Sequence, residues 1–206
     1  MPNQGYCNAN YLLKKDGKNY HVREFKILGL DREFEFKVQS LAYKKAIGAK
    51  PFVISQTHMV GEFLKGGHKK KLNKRNIALL AKTIKKLHTI RARKKAKPFN
   101  QRCINLASKF SKDLVLSHND INVKNVLFSS RCMLIDWEYA GLNDRYFDLA
   151  SISCEYKFSQ KDEVYFFKHY GKKLDRKKLK VYKRIYDILY KAWFKQLEAG
   201  ELEFLA

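Results

Sequence analysis

Three side chains that could bind a divalent cation or accept a proton follow one another in the middle of this 206-residue chain: Asp120, Asn125 and Asp136. Mg²⁺ prefers oxygen ligands, and proteins usually supply one or two of them while substrate phosphates supply others. A carboxylate held beside such an ion can accept the proton of an attacking hydroxyl group. The residue types therefore indicate metal-assisted phosphoryl transfer, with Asp120 as the base and Asn125 and Asp136 as metal ligands.

A β-hairpin must position these side chains. Two short apolar segments, Val126–Phe128 and Cys132–Ile135, flank a polar turn and predict its two strands. Because antiparallel pairing returns the chain to its starting point, Asp136 should lie beside Asn125. Asp120 would then approach from the loop that enters the hairpin. A buried hairpin of the same residues without any chemistry is the alternative interpretation.

The order of these residues is that of the kinase catalytic and metal-binding loops. Those loops read His-x-Asp-x4-Asn, then a hairpin, then Asp, and this chain carries the same residue types from His118 to Asp136. Asn119 stands where protein kinases have arginine, and Asp-Trp-Glu stands where they have Asp-Phe-Gly. Both differences point away from protein kinases.

Three blocks of this region, SHNDINVKNVL, LIDWEYAG and FDLASI, resemble the choline/ethanolamine kinase family within the larger aminoglycoside-phosphotransferase-like group. They follow in the family's order and spacing, and bacterial choline kinase-like members are the most similar. The resemblance implies an α+β, two-lobed protein-kinase-like fold, with a small N-terminal antiparallel β lobe and a larger, mainly helical C-terminal lobe. It also implies ATP and Mg²⁺ as cofactors, and hydrogen-bonding roles for His118 and Asp148 in holding the catalytic loop.

The resemblance further implies where the nucleotide would bind. Gly5 and Asn8 stand in a short loop that would cover the ATP phosphates, and Arg23 on the second strand would contact them. Glu35 is our choice for the acidic partner of Arg23 on the following helix, and Glu33 is its rival. Similar proteins carry a strand and further residues before the phosphate loop, so we expect a small lobe truncated at its start and an incomplete roof over the nucleotide.

Local patterns divide the chain into residues 1–65, the small lobe and hinge, and residues 66–206, the catalytic and substrate-binding lobe. Turn signals and apolar periodicity predict the elements within them. These are strands at 11–13 and 20–25 around an Asp16-Gly17 turn, a helix at 31–48 capped by Asp31 and Gly48, a last small-lobe strand from 52 to 60, and helices at 73–90, 163–170 and 179–197.

The C-terminal part is rich in aromatic residues, for which core packing is the ordinary explanation. A quaternary ammonium group cannot donate a hydrogen bond, so proteins hold it by cation–π contacts and a nearby carboxylate. The resemblance places Glu155, Tyr190 and Trp193 where choline kinase-like enzymes carry acidic and aromatic residues. Tyr139 could add a third ring, and Glu138 a second carboxylate.

Composition limits the class of protein. The formal net charge is +23, which would suit a nucleic-acid or anionic-membrane partner, but the lysines are spread along the chain and favour solvated surfaces. The four cysteines are scattered and predict reduced thiols. With no apolar run of transmembrane length and no signal-peptide pattern, we expect a cytoplasmic protein.

The sequence thus predicts an ATP-dependent kinase of a small amino alcohol, with choline as the first choice of acceptor. Ethanolamine, thiamine and an aminoglycoside are alternative acceptors for the same chemistry. A catalytically impaired kinase and a basic nucleic-acid-binding protein are the remaining alternatives, although no specific nucleic-acid partner is expected. The oligomeric state is left open.

Overall fold

The N-terminal part of the chain forms one antiparallel sheet around a helix. The computed structural model describes residues 8–26, 29–92, 94–96 and 99–198. Its first elements are β1 (Asn8–Lys15), β2 (Lys18–Phe25), α1 (Arg32–Lys44), β3 (Pro51–Ile54) and β4 (His58–Glu62), and the strands pair in the order β1-β2-β4-β3.

The rest of the chain is mainly helical. Its elements are α2 (Lys74–Leu87), α3 (Gln101–Ala107), β5 (Leu114–Ser117), β6 (Val126–Phe128), β7 (Cys132–Leu134), β8 (Gly141–Asp144), α4 (Tyr146–Glu155), α5 (Gln160–Tyr170) and α6 (Arg176–Glu198). An antiparallel sheet followed by a helical part is the predicted α+β class. The boundary near residue 65 stays a prediction.

The first hairpin turns at Asp16-Gly17, as the sequence predicts. Both residues have positive φ angles, 50° and 69°, which matches the type I′ turns that favour Asp-Gly. The hairpin places β2 inside the sheet, where Arg23 lies opposite Asn10 on one side and Met59 on the other. Arg23 is therefore held on a strand that is paired along both edges.

The predicted single strand from 52 to 60 is wrong, because this segment folds into two strands, β3 and β4, that pair with each other. Ser55 makes the turn between them: its Oγ accepts hydrogen bonds from the backbone N–H groups of Thr57 and His58. A side chain that satisfies nearby backbone groups competes with an extended ladder. Apolar residues on both sides conceal this signal in the sequence.

Asp31 caps α1 as predicted, since its carboxylate accepts a hydrogen bond of 2.9 Å from the backbone N–H of Phe34. The predicted cap at Gly48 is wrong. The helix ends at Lys44, and Ala46 turns the chain with a left-handed φ of 56°. Gly48 instead allows close packing, because a Cβ atom there would lie 3.4 Å from the indole ring of Trp137.

Helix α2 begins close to the predicted position, with Asn73 capping its first turn. Its apolar residues recur at helical spacing and are buried, and α2 packs against α5. This helix forms the centre of the large core, where Leu80, Ile84 and Leu87 are fully buried. Burying side chains of this size contributes about 1.5–3 kcal/mol each relative to leaving them exposed.

The predicted catalytic hairpin is present. In it β6 pairs with β7 in antiparallel register, with Val126 opposite Leu134. The backbone N–H of Leu134 also donates to Ile47, just after α1, at 2.8 Å. Strand β5 pairs with β8 instead. The loop between β5 and β6 is therefore held at both ends by separate sheets.

The C-terminal helices are partly as predicted. Helix α6 packs against α4 along its first half, where Tyr182 and Ile185 are buried. Phe167 and Tyr170 on α5 face inward as expected. Val164 does not, because it is 48% exposed while Phe166 takes the core position. Side chains two residues apart in a helix point about 200° away from each other, so Val164 and Phe166 lie on opposite faces of α5. The sequence pattern therefore predicted the wrong buried face at this position.

The cysteines and the apolar segments can be compared with what composition predicts. Cys103, Cys132 and Cys154 are free thiols, and burial raises the pKa of each. Cys7 lies outside the described residues. Within the described ranges, no helix is both long enough and apolar enough to cross a bilayer.

Candidate active site

The loop between β5 and β6, named the catalytic loop after the role that the sequence predicts for Asp120, brings Asp120 and Asn125 into direct contact. The side-chain Nδ2 of Asn125 donates to the Oδ2 atom of Asp120 at 2.7 Å and to its backbone oxygen at 2.9 Å. Asn122 donates to the other carboxylate oxygen at 3.0 Å. Both oxygens of Asp120 are thus oriented by amide groups, and Asn125 keeps its own Oδ1 as an acceptor.

The hairpin returns Asp136 to the same place. The backbone N–H of Ile135 donates to the backbone oxygen of Asn125 at 3.1 Å, so the strand ends lie side by side as predicted. Asp136 follows with a left-handed φ of 67°, which turns its side chain out of the ladder. Its Oδ1 lies 3.1 Å from Nη1 of Arg23.

Burial and the nearby charge of Asp136 make the Asp120 carboxyl group less acidic. Burial, and then the negative charge of Asp136, raise the pKa of the Asp120 carboxyl group to about 8. The hydrogen bonds from Asn122 and Asn125 act in the opposite direction, because they favour the charged form. A carboxylate with a pKa raised toward neutrality is a stronger proton acceptor than an ordinary aspartate.

Asp148, at the start of α4, holds the first residues of the catalytic loop by hydrogen bonds. Its carboxylate accepts hydrogen bonds from the backbone N–H groups of His118 and Asn119, at 2.9 and 3.0 Å. The imidazole of His88 at the end of α2 also contacts it, at 3.1 Å. Asn119 has a left-handed φ of 64°. The structural role predicted for Asp148 is therefore visible in its contacts.

His118 links the two ends of the site. Its Nε2 donates to the backbone oxygen of Ile135 at 3.0 Å, and its ring packs on Trp137 with centroids 4.8 Å apart. Burial lowers the pKa of this histidine. The neutral ring therefore acts as a spacer between the catalytic loop and the segment that carries Asp136.

On the small-lobe side, Arg23 and Glu35 form a buried ion pair. Arg23 Nη2 lies 2.6 Å from Glu35 Oε1, and the two side chains are 6% and 1% exposed. Glu33, the rival candidate, is exposed. The neighbouring carboxylates of Asp136, Glu35 and Glu138 outweigh the effect of burial and raise the pKa of Arg23, which stays charged.

Glu138, predicted to bind the acceptor, lies beside this pair. It accepts hydrogen bonds of 3.1 Å from Asn8 and from Arg32, and it is 3.8 Å from Arg23. Arg32 is a site residue that the sequence interpretation missed. Its spacing of three residues from Glu35 on one helix face was the available signal. Gly5 lies outside the described residues.

On the opposite side of the catalytic loop, Glu155 is fixed between two elements. It accepts a hydrogen bond of 2.8 Å from the hydroxyl of Tyr186 and one of 3.3 Å from the backbone N–H of Val123. Burial and the charge of Glu155 raise the pKa of Tyr186, which stays protonated. Tyr186 was missed as a site residue, although it lies one helical turn before Tyr190.

The predicted aromatic residues lie further along α6. The ring of Tyr190 is 5.9 Å from that of Tyr186 and 4.7 Å from that of Phe194, and Trp193 contacts Phe194 edge to face at 5.0 Å. Tyr190 is 45% exposed. Tyr139 precedes β8, and its backbone oxygen accepts a hydrogen bond from Asn119. The rings of Tyr186, Tyr190, Phe194 and Trp193 thus form a row along α6.

The donor set near Asp136 fits a magnesium ion. Asn125 offers an amide oxygen, and the carboxylate of Asp136 has more lone pairs than its contact with Arg23 can use. In the described part of the chain no group of three or more His, Cys, Asp or Glu residues could hold a metal by itself. Mg²⁺ needs only one or two protein ligands when substrate phosphates supply the others.

Comparison with known proteins finds a family model that matches the part of the chain carrying most of this geometry. Residues 97–187 match the choline/ethanolamine kinase family. The match contains the catalytic loop, the hairpin and Glu155, and it confirms the resemblance of the three sequence blocks. Protein LicA of Haemophilus influenzae is 32% identical over 101 residues, which cover 43% of this chain and 30% of that protein. A second LicA from that species is 31% identical, and the chain covers 38% of its length.

Solved structures of the family and of related phosphotransferases share the fold. Choline kinase LicA from Streptococcus pneumoniae is 22% identical with a TM-score of 0.76, over 95% of this chain and 83% of that chain. An ethanolamine kinase from Plasmodium vivax is 18% identical with a TM-score of 0.77, over 98% and 76%. Spectinomycin phosphotransferase, bound to ADP and spectinomycin, is 16% identical with a TM-score of 0.75, over 98% and 83%. The two-lobed kinase-like fold is thereby confirmed.

Proposed function

We propose that this protein transfers the terminal phosphoryl group of ATP to the hydroxyl group of a small amino alcohol, with choline as the preferred acceptor. The observation that carries the proposal is the meeting of Asp120, Asn125 and Asp136 at one end of the hairpin, with Arg23 3.1 Å from Asp136. The family match over residues 97–187 supports the same reaction class.

In this proposal Asp120 accepts the proton of the acceptor hydroxyl as it attacks the phosphorus atom. Asn125 and Asp136 hold Mg²⁺, which when bound neutralises charge on the phosphate oxygens. Arg23, oriented by Glu35, contacts the phosphates from the small lobe. Gly5 belongs to the segment proposed to cover them, whereas Asn8, predicted for the same loop, lies in β1 and donates a hydrogen bond to Glu138. Complexes of similar folds with AMP and ADP support a nucleotide in this cleft.

The acceptor would lie on the side of Glu155. Glu155 is tied to the catalytic loop through Val123, so a cation beside it would lie near Asp120. Tyr190 and Trp193 on α6, with Tyr139, would supply aromatic faces for a trimethylammonium group. Glu138 is engaged by Arg32 on the nucleotide side, so Glu155 is the carboxylate we assign to the cation.

A kinase of this kind would act in the cytoplasm, where ATP is available. The charge of +23 would raise the local concentration of ATP by electrostatic steering. We propose no specific nucleic-acid partner.

The test is a coupled assay of ADP release with choline, ethanolamine, thiamine and an aminoglycoside in parallel, with the phosphorylated product identified by mass spectrometry. We expect turnover to be highest with choline and to fall by about a thousandfold or more in Asp120→Ala. Asp187→Ala, which removes an exposed aspartate of α6, should retain normal turnover.

Three results would change the proposal. Comparable turnover in Asp120→Ala would refute the assignment of the base. Higher kcat/KM with another alcohol would replace choline as the acceptor. Binding of ADP without phosphoryl transfer to any of the four alcohols would identify a catalytically impaired kinase.

A further inference from the structure

The first turn of α1 is fastened to the large lobe by Arg32. Nη1 of this arginine lies 2.7 Å from Glu35 Oε2 on the same helix and 3.1 Å from Glu138 Oε2. Glu138 belongs to the Asp-Trp-Glu segment that follows the catalytic hairpin. The Arg32 side chain is 8% exposed, and the two carboxylates are 1% and 2% exposed. The contact is therefore a buried link between the lobes.

The position of Arg32 is fixed by its surroundings. Its guanidinium group stacks on the ring of Phe25, at the end of β2, with 3.8 Å between the group and the ring centroid. Glu138 is held from another direction by Asn8 of β1. Small-lobe groups from β1, β2 and α1 thus converge on one large-lobe carboxylate.

The balance of charge shows what Arg32 contributes. Three carboxylates surround Arg23: Glu35 at 2.6 Å, Asp136 at 3.1 Å and Glu138 at 3.8 Å. Arg32 neutralises Glu138 and the second oxygen of Glu35. Buried carboxylates are stable only when they are paired. Without Arg32, Glu138 would keep its hydrogen bond from Asn8 but lose its nearest positive charge, and it would draw Arg23 toward itself and away from Asp136.

We infer that Arg32 is a positioning residue of the nucleotide site. By neutralising Glu138 it keeps Arg23 directed at Asp136, and by joining Glu35 to Glu138 it holds α1 against the large lobe. The effect on nucleotide affinity rests on the proposed function, whereas the link between the lobes does not.

Affinity for ADP, measured by calorimetry without added metal, tests the first consequence. Arg32→Met should raise the Kd for ADP by about tenfold or more, because one partner of a buried charged network is removed. Arg32→Lys should stay within about threefold of the wild type, since a single nitrogen makes both contacts and a lysine ends in one. Arg75→Met, at an exposed arginine of α2, is the matched control and should leave the Kd unchanged.

A second substitution separates positioning from general damage. Glu138→Gln removes the charge that would attract Arg23, so the variant carrying both Arg32→Met and Glu138→Gln should bind ADP more tightly than Arg32→Met alone. Independent losses of structure would instead add. A Kd for Arg32→Met within twofold of the wild type, or a double variant weaker than Arg32→Met, would overturn the inference.

Hydrogen exchange of the α1 backbone amides tests the link between the lobes without any nucleotide. Exchange over residues 33–44 should be faster in Arg32→Met and in Glu138→Gln than in the wild type, and near normal in Arg32→Lys. If Arg32→Met does not fold, Glu138→Gln alone decides, and unchanged exchange in that variant overturns the link. Failure of the wild type to bind ADP would count against the proposed function and leave the exchange result valid.

Discussion

The two sides of the catalytic loop are built in different ways. On the side proposed to bind the nucleotide, Arg23, Arg32, Glu35 and Glu138 form a network whose side chains are at most 8% exposed. On the side proposed for the acceptor, Glu155 is fixed by Tyr186, and the ring of Tyr190 one helical turn further along α6 is 45% exposed. The charged side chains of the first group are buried, whereas the second group includes a largely exposed ring.

The difference shows where the protein can change without losing its fold. A buried network of ion pairs fixes its geometry, and removing one member leaves the others uncompensated. An exposed ring on a helix contributes little to stability and can be replaced at small cost. Substitutions should therefore be costly on the nucleotide side and mild on the acceptor side, and the four predictions below test this contrast.

The largest effect is expected from Glu35→Gln, which leaves Arg23 and Arg32 short of a buried carboxylate. We expect a loss of about 3 kcal/mol in unfolding free energy and a Kd for ADP raised by about tenfold or more. Urea denaturation and calorimetry measure the two quantities. Glu33→Gln, on the exposed side of the same turn, should change neither, and equal effects of the two substitutions would contradict the contrast.

Asp120, between the two sides, should make stability depend on pH. Its pKa in the folded protein is raised to about 8, above that of an unfolded aspartate, so its contribution to stability is present at low pH and is lost as the pH rises through 8. Asp120→Asn cannot ionise. Relative to the wild type, its melting temperature in EDTA should therefore increase by about 6 °C or more between pH 5 and pH 9.

Glu33→Gln again serves as the control for Asp120→Asn, since its carboxylate is exposed. A difference in melting temperature that stays constant from pH 5 to pH 9 would show that the acidity of Asp120 is not linked to folding.

A smaller effect is expected from Tyr190→Leu on the side proposed for the acceptor. Loss of one exposed cation–π contact should raise the KM for choline by about two- to fivefold, with the KM for ATP and the melting temperature unchanged. The KM for 3,3-dimethylbutanol, which has the same shape without the charge, should not change. Tyr43→Leu removes a tyrosine of similar exposure on α1 and should affect neither alcohol, whereas an equal loss with the neutral alcohol would exclude a cation–π role.

The smallest effect is expected from Lys94→Ala. Lys94 pairs with Asp31 at 2.9 Å, but the two side chains are 42% and 46% exposed. Exposed pairs contribute about 0–1 kcal/mol, so the Kd for ADP should stay within twofold of the wild type. Both Lys94 and Arg32 contact residues across the lobes, and a loss as large as that of Arg32→Met would show that burial does not explain the contrast.

Local patterns predicted much of the site because its members are close in sequence. A hairpin brings residues separated by a short turn together whatever the rest of the chain does. Asp120, Asn125 and Asp136 therefore meet as expected, and Asp148 holds the loop by hydrogen bonds. The catalytic roles of these residues, and those of Arg23, Glu155, Tyr190 and Trp193, stay predictions.

Predictions failed where a distant contact or a side chain decided the local structure. The turn at Ser55 lies between two short apolar runs that were predicted to form one strand. Helix α1 ends at Lys44 and the chain turns at Ala46, while Gly48 packs against Trp137 and does not cap the helix. The periodicity of apolar residues did not identify the buried face of α5, where Phe166 is buried and Val164 is exposed.

The sequence by itself determined the hairpin and the loop that enters it, because these depend on turn chemistry and on short separations along the chain. The kinase-like order of the lobes followed from the family resemblance of three sequence blocks. Only the tertiary structure decided between Glu33 and Glu35, placed Glu138 with Arg32 across the two lobes, and paired Tyr186 with Glu155. Those choices depend on which charges are buried together. The energy of a buried charge is set by neighbours that are far away in the sequence.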